Sequence, residues 1–363
     1  MDNRSILIGL HELEGIGWKT ILRLINRLPE LQEIFAISAA ELTALGIGRE
    51  QAELISRKLT ASYVESKLTL YANMRICTLT LFDSEYPAIL KEIAQPPWVL
   101  YYKGNIPLIN LHLLSIVGTR MPTAYGKKVA EDFAFSISNL GFGIVSGMAR
   151  GIDSYAHRGA LKGSGRTIAV LGCAIDQVYP PENRILSGQI EEQGLIVSEY
   201  PIGAKMHPGM FPYRNRIIAG LSLGVVVVEA AKRSGSLITV DLAIEESRDV
   251  FAVPGQITSP KSQGVLPLIK QGCKILTTIE DIKEEYVHLF PKEASAVLQS
   301  QQMAPALTED ELEIMQILTE EPANIDSLLE LSQFTFGHLH SILLSLSMKK
   351  QITQLPGSTY MKL

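Results

Sequence analysis

The sequence predicts an α/β protein: a doubly wound parallel sheet, preceded by a helical segment and followed by a small mixed module. Three observations lead there. From residue 111 onward, short runs that are apolar throughout alternate with helix-length segments, the pattern of a parallel sheet covered on both faces. Residues 1–70 are helical by pattern and carry two Gly-apolar-Gly turns. Residues 306–363 read as three short helices and two strands. A chain of 363 residues has room for more than one domain.

The expected organisation runs as follows. Residues 1–70 form the helical domain. Leu10-His-Glu-Leu-Glu-Gly-Ile-Gly and Leu42-Thr-Ala-Leu-Gly-Ile-Gly place paired glycines after apolar residues. That resembles a helix-hairpin-helix, in which backbone N–H groups approach a phosphate closely. The same residues also fit a plain helical hairpin with glycine at its C-cap. Residues 71–110 are a Pro-rich connector ending in the strand-like Trp98-Val-Leu-Tyr-Tyr-Lys-Gly104. Residues 111–285 hold the sheet, a Rossmann-like domain. Its strands are expected at 114–118, 142–147, 167–172, 195–200, 224–230, 249–255 and 273–277. Val129, Phe133, Ile137 and Leu140 keep helical spacing between the first two. Residues 286–305 are a linker with Pro291 and the polar run 299–302. In 306–363, helices are expected at 311–318, 325–331 and 338–348, with two strands around Pro356-Gly357, which resembles a winged helix-turn-helix.

Composition narrows the function. No apolar run reaches the length of a membrane span, and the N-terminus lacks the pattern of a secretory signal. Cys77, Cys173 and Cys273 are far apart and odd in number, so no disulfide framework or CxxC metal site is expected. The expected compartment is the cytoplasm. Net charge is −5, which at first argues against nucleic acid. From residue 305 on, however, eight acids stand against Lys349, Lys350 and Lys362, which leaves residues 1–304 neutral overall. Within 205–233, Lys205, Arg214, Arg216, Lys232 and Arg233 face Glu229 alone. A local basic groove on an acidic protein is therefore expected. The acidic C-terminal module is expected to be dispensable for binding a polyanion. A protein-contact role and a degenerate relic both remain open for it.

The motifs sit where such a sheet binds ligands, at the carboxyl ends of its strands. Phe211-Pro-Tyr-Arg-Asn-Arg216 precedes an apolar, helix-compatible run; arginine forks suit phosphate, though a surface ion-pair cluster uses the same residues. Ser115-Ile-Val-Gly-Thr-Arg120 ends the first strand. Gly118 permits a tight turn and Arg120 sets a cation at the mouth. No GxGxxG follows, so a nicotinamide cofactor is not expected. Ser146-Gly-Met-Ala-Arg-Gly-Ile-Asp153 ends the second strand: Ser146, Gly147 and Arg150 suit phosphate, and Asp153 orients an arginine or caps a helix. His157 joins this site or packs behind it. Asn183 and Arg184 follow the third strand at a helix start. Ser234-Gly-Ser236 opens a helix after the fifth, with hydroxyls and free N–H groups for an anion. No Walker A, HExxH or GxSxG motif is present. Neither a catalytic nucleophile–base pair, a cofactor nor a metal is expected, and the chain reads as a binder of phosphates.

Taken together, these residues resemble the DprA/Smf family, the DNA-processing protein A of bacteria. The resemblance rests on Tyr86-Pro87, Pro96-Pro-Trp98, Gly118-Thr-Arg120, Ser146-Gly-Met-Ala-Arg-Gly-Ile-Asp153, Tyr179-Pro-Pro-Glu-Asn183, Phe211-Pro-Tyr-Arg-Asn-Arg216, Ser234-Gly-Ser-Leu-Ile-Thr239 and Val253-Pro-Gly255. It implies an N-terminal SAM-like helical domain, an extended Rossmann domain and a C-terminal winged helix. It implies single-stranded DNA as partner, a homodimer formed through the Rossmann domain, and the loading of a RecA-type recombinase in natural transformation. Carried onto this chain, the family's basic pocket falls on Arg120, Arg150, Arg214, Asn215, Arg216, Ser234, Gly235 and Ser236. Gly118, Thr119, Ser146, Gly147, Asn183, Arg184, Phe211 and Thr239, from the same motifs, complete the DNA-contacting set. Cys173-Ala174 and His207-Pro-Gly-Met-Phe211 depart from the family's usual pattern. The rival reading is a nucleotide-processing enzyme of the lysine-decarboxylase-like phosphoribohydrolase type. Its glutamate would have to come from Asp241 or Glu245.

Overall fold

In the computed structural model, residues 1–290, 307–318, 322–349, 351–355 and 358–362 are described. The expected linker beyond residue 290 and the Pro356-Gly357 turn lie outside them. The chain divides into two units, Met1–Lys283 and Glu284–Leu363.

In the first unit, five helices come first: α1 (Asn3–His11), α2 (Trp18–Arg27), α3 (Ala39–Ala44), α4 (Arg49–Lys58) and α5 (Ala61–Asn73). Both Gly-apolar-Gly turns join helices, and Gly17 and Gly48 become the N-caps of α2 and α4. Strands β1 (Cys77–Thr80), β2 (Val99–Gly104), β3 (Leu113–Val117), β4 (Gly143–Ser146), β5 (Thr167–Leu171), β6 (Leu195–Ser198), β7 (Gly224–Val227), β8 (Asp249–Ala252) and β9 (Lys274–Ile275) form one sheet. Its order is β1-β2-β6-β5-β4-β3-β7-β8-β9. From β6 to β9 every pair is parallel, and β2 joins β6 antiparallel. β3 to β6 and β7 are buried at every position, which is why they read as unbroken apolar runs. β1 was not foreseen. Cys77-Thr-Leu-Thr is too short and mixed to signal a strand, and it forms by pairing with β2 at the sheet edge.

Seven helices cover the parallel part or follow it: α6 (Ala88–Lys91), α7 (Ala124–Asn139), α8 (Ile152–Lys162), α9 (Arg184–Gln193), α10 (Met210–Leu221), α11 (Gly235–Glu245) and α12 (Val265–Lys270); the first unit ends within the next helix, α13 (Glu280–Glu285). The face of α7 differs from the expected one. Gly126, Ala130, Ala134 and Ile137 are buried, while Val129, Phe133 and Leu140 stay partly exposed. The reason is close helix packing. A Cβ on Gly159 of α8 would lie 2.2 Å from the Glu131 carbonyl oxygen, so α7 meets α8 through its small residues. Helices α1–α5 share one core with the sheet: Ile6, Leu10, Leu24 and Tyr71 join Trp98, Tyr101, Leu171 and Ile196. Among the described residues no helix is long and apolar enough to cross a membrane.

The second unit contains α14 (Glu309–Ile317), α15 (Ile325–Ser332) and α16 (Phe336–Met348), with β10 (Ala323–Asn324), β11 (Ile352–Leu355) and β12 (Thr359–Lys362) ordered β10-β12-β11. This is the winged-helix pattern. The two-residue β10, pairing Ala323 with Tyr360, was not foreseen. Thr308 and Glu311 form a capping box at α14. Glu311 also accepts from Ser345 Oγ at 2.7 Å and from Lys349 Nζ at 2.6 Å. These partners, Lys349 first, push its carboxyl from the usual 4.5 down to about 2. A carboxyl depressed in the folded state gives stability that is complete above its unfolded value and lost as pH falls through the folded one. Acid titration of the full chain, followed by circular dichroism, is therefore expected to release this unit's helices as the pH falls from about 4.5 towards 2. Glu311→Gln should remove that transition and lower stability at neutral pH. A titration curve identical in the variant would count against the assignment.

Candidate nucleic-acid interface

From β3 the chain winds outward through β4, β5 and β6. Helix α10 then carries it back to β7 on the other side of β3. The loops after β3 and β7 leave in opposite directions, which opens a crevice at their carboxyl ends. A cleft of about 390 Å³ lies there. Gly118 and Arg120 wall it after β3, Ala149 and Asp153 after β4, Phe211, Arg214, Asn215 and Ile218 along α10, and Ser234, Ser236 and Thr239 at the start of α11.

The loop after β4 is held in an unusual shape. Met148 has φ 58° and Gly151 φ 79°, the left-handed region that side chains rarely enter. A Cβ on Gly151 would sit 2.3 Å from the Thr119 carbonyl oxygen, so this close approach of two loops requires glycine. Three predicted site residues turn out to be braces of this region. Ser146 is fully buried and its hydroxyl donates to the Ile116 carbonyl at 2.7 Å. Asn183, also buried, donates to the Met148 carbonyl at 2.8 Å and to Ser154 Oγ at 2.9 Å. The Thr119 N–H donates to the Glu229 carbonyl at 2.7 Å and ties the β3 loop to β7. Asp153 is 7% exposed and accepts from the N–H groups of Gly147 and Ala149. Burial pushes its carboxyl up, against the pull of Arg214.

The arginines separate into three situations. Arg120 is exposed at the cleft mouth, its guanidinium 6.0 Å from the Phe211 ring centre. Arg150, half exposed, pairs with Glu182 and lines a small annex beside the cleft. Tyr179 lies in that annex, its ring 5.2 Å from Phe211. Arg214 and Arg216 depart from the expectation that both face a phosphate chain. Arg214 is 4% exposed, and its Nη1 donates to the Gly147 carbonyl at 2.7 Å and to that of Val170. Its guanidinium lies against the Gly147 backbone, where a Cβ would come within 2.6 Å. Burial lowers its pKa and Asp153 opposes that. It lines the cleft as part of the wall. Arg216 does not line the cleft. It is buried against Glu199, Nη2 to Oε1 2.6 Å, with Nε donating to the Gln95 carbonyl at 3.0 Å. Arg184, exposed at the start of α9, is also outside the cleft.

The groups left facing the opening are those of Arg120, Asn215, Phe211 and the amino end of α11. Ser234 caps that helix, accepting from the Ser236 N–H and bonding the Ser236 hydroxyl at 2.8 Å. Asn215 Nδ2 reaches the Gly235 carbonyl at 3.4 Å. Thr239 lines the floor and is 1% exposed. Lys232 and Arg233, just ahead of the cap, are exposed cations, counted in the basic stretch 205–233 but not among the expected DNA contacts. Glu199 and Glu182 were missed as counter-ions. Their signal was slight: each is an acid at the end of an apolar strand or in a strand-end motif, and its arginine comes from a different motif. His157 packs behind the cleft: it bonds Thr167 Oγ1 at 2.8 Å, and burial lowers its pKa to about 3, so it stays neutral. Burial pushes the Cys173 thiol up to about 11. Neither is poised as a base or nucleophile. Among the described residues no cluster is placed to hold a metal ion.

Comparison with known proteins gives a consistent set of matches. A family model described as DNA recombination-mediator protein A matches residues 77–287, and one described as the DprA winged helix domain matches 299–358. Protein Smf from Synechocystis is 36% identical over 321 residues, 78% of this chain and 79% of that protein. The X-ray structure of DprA from Streptococcus pneumoniae superposes with a TM-score of 0.69 at 33% identity, covering 78% of this chain and 99% of that one. DNA processing protein A from Helicobacter pylori, whose structure was solved for its single-stranded DNA binding mode, gives 0.55 at 29% identity, covering 60% and 98%.

Proposed function

Because the chain belongs to the DNA recombination-mediator protein A family, we propose that it binds single-stranded DNA in the cleft between β3 and β7. One observation carries this reading. The cleft joins an exposed arginine, an aromatic ring and a Ser-Gly-Ser helix start in one opening. A phosphate takes N–H and hydroxyl donors at the amino end of α11, where the helix dipole favours negative charge. Arg120 supplies a fork to the same or the next phosphate, and Phe211 with Tyr179 offers faces on which bases stack. Nothing in this arrangement reads a base edge, so binding is independent of sequence at this cleft.

The protein acts as a binder without turnover of a small molecule. The acids that the rival enzyme would need, Asp241 and Glu245, are exposed and do not line the cleft. The finer role is to hold the strand extended, as a homodimer joined through the Rossmann domain, and to load a RecA-type recombinase. This part of the reading rests on the family.

Salt-dependent binding to single- and double-stranded oligonucleotides tests the proposal. Arg120→Ala is expected to weaken single-strand binding about tenfold or more, from the loss of charge-assisted hydrogen bonds. The slope of log affinity against log salt should flatten by about 0.7. Unchanged affinity would remove Arg120 from the interface. Base release from nucleoside monophosphates would favour the enzyme, and a recombinase whose filaments form no faster on addition of the protein would remove the loading role.

A further inference from the structure

Residues 118–166 are more basic than the cleft accounts for, with seven bases against three acids. The acids are occupied: Glu131 pairs with Lys162, Asp132 pairs with Lys128 at 2.9 Å, and Asp153 is buried in the cleft wall. Of the other bases, Arg150 pairs with Glu182, and Arg166 donates to the Gly141 carbonyl at 2.8 Å. Arg120, Lys127 and Arg158 are left, all exposed and none with an acid partner among the described residues. Arg120 belongs to the cleft; Lys127 and Arg158 do not line it.

Lys127, on α7, and Arg158, on α8, converge on one ring. The Lys127 Nζ lies 5.8 Å and the Arg158 Cζ 5.2 Å from the ring centre of Tyr155. The ring's electron density holds both cations in place. It does not cancel their charge, and like charges gathered with no acid between them repel. Helix stability does not explain Lys127 either. It stands near the amino end of α7, where a cation opposes the dipole, and the first turn holds no acid. The pair is also continuous with the cleft. Gly151, the N-cap of α8, packs against the backbone of Thr119 and Arg120. Tyr155 follows one turn later, its N–H donating to the Gly151 carbonyl, and Arg158 lies almost one turn beyond. From Gly151 to Arg158 is about 10 Å along the helix, or roughly three nucleotides at the stacked rise of about 3.4 Å.

Two unpaired cations, held on one ring a short step from the arginine at the cleft mouth, suit a polyanion chain that has left the cleft. We propose that the shoulder formed by Lys127, Tyr155 and Arg158 is an exit track for single-stranded DNA, engaged by strands too long for the cleft alone. Arg158 offers a fork to one phosphate and Lys127 a point charge to a neighbouring one. Tyr155 is a positioning residue: its ring is taken up by the cations and orders them. Nothing on the shoulder reads a base edge, so the track adds affinity without sequence preference. Short strands use the cleft only, and affinity rises once a strand reaches the track. This inference rests on the reading of the cleft as the single-strand site.

The full chain is titrated with end-labelled oligo-dT of graded length, and label anisotropy reports binding. Lys127→Ala combined with Arg158→Ala should leave the shortest bound strand unaffected and weaken long strands about tenfold, through the loss of two exposed charge contacts. The salt slope for long strands should flatten by about 1.4, which is about 0.7 for each phosphate released, while that for the short strand stays as it was. Tyr155→Phe should bind as the unmodified chain does, and Tyr155→Leu should lose part of the long-strand gain, because the ring face places the cations. Identical behaviour of the two would take the ring out of the track. An amine-reactive acetylating reagent, read by peptide mass spectrometry, reports Lys127 directly: a bound long strand should protect it and a bound short one should not. Affinity independent of length, equal weakening at every length, or Lys127 left reactive under a bound long strand overturns the track and leaves the cleft standing. No binding at any length overturns the cleft reading, and the track with it.

Discussion

Replacing Arg216 with alanine is expected to destabilise the protein by about 3–5 kcal/mol, the usual cost of stripping a buried ion pair of one partner. Arg216 and Glu199 are each about nine-tenths buried, and they meet at 2.6 Å. The guanidinium also lies 4.0 Å from the ring centre of Tyr213 and fastens α10 to the Gln95 carbonyl. Without it, the Glu199 carboxylate keeps its burial and loses its counter-ion. Thermal denaturation measures the loss. Converting both residues to neutral side chains, as in Arg216→Met with Glu199→Gln, should recover part of it, because the uncompensated charge is then gone. At a temperature where the variant is folded, the salt dependence of single-strand binding should match that of the unmodified chain. An unchanged melting temperature with a flattened salt slope would show instead that Arg216 faces the DNA.

Arg214→Ala is expected to cost about 3 kcal/mol or more, since a charged donor gives about 1.5–3 kcal/mol per hydrogen bond and two carbonyl bonds are lost. Those carbonyls, of Gly147 and Val170, stand at the ends of neighbouring strands. Arg214→Lys should not rescue it, because an ammonium lacks the planar fork that spans both. The pH dependence has a definite sign. Asp153 already has its carboxyl raised by burial, and Arg214 is the group that restrains the rise. Removing Arg214 raises it further. A carboxyl raised in the folded state gives stability that is present at low pH and lost as pH climbs through its folded value. The deficit of Arg214→Ala should therefore be smallest below the ordinary aspartate value of 3.8 and grow above it. Denaturant melts across that range check this, and a deficit independent of pH would remove Asp153 from the account.

Much of the architecture follows from local sequence. The parallel strands are legible because burial on both faces demands unbroken apolar runs, and β3 to β7 supply them. The cleft is legible because each strand-end loop carries glycine, a hydroxyl and a cation. Ser234-Gly-Ser236 caps its helix as the sequence suggests, since a cap bonds only residues two or three positions away. The short edge strand β1 and the two-residue β10 are not legible, because each is defined by its pairing partner.

The arginines mark the boundary most clearly. Arg214 and Arg216 are two positions apart on α10, which sets them about 200° apart around the helix, and nothing local says which way either points. Arg214 is fixed by carbonyls 67 and 44 residues away, and Arg216 by a carboxylate 17 residues away and a carbonyl 121 residues away. Among the described residues no carbonyl or carboxylate hydrogen-bonds Arg120, whose guanidinium faces the Phe211 ring, and it remains at the surface. Sequence thus determines which residues can hold a phosphate, because that depends on side-chain chemistry and loop position. Only the tertiary structure decides which of them are free to do so, because a buried charge takes whatever acceptor the packing of distant segments brings to it.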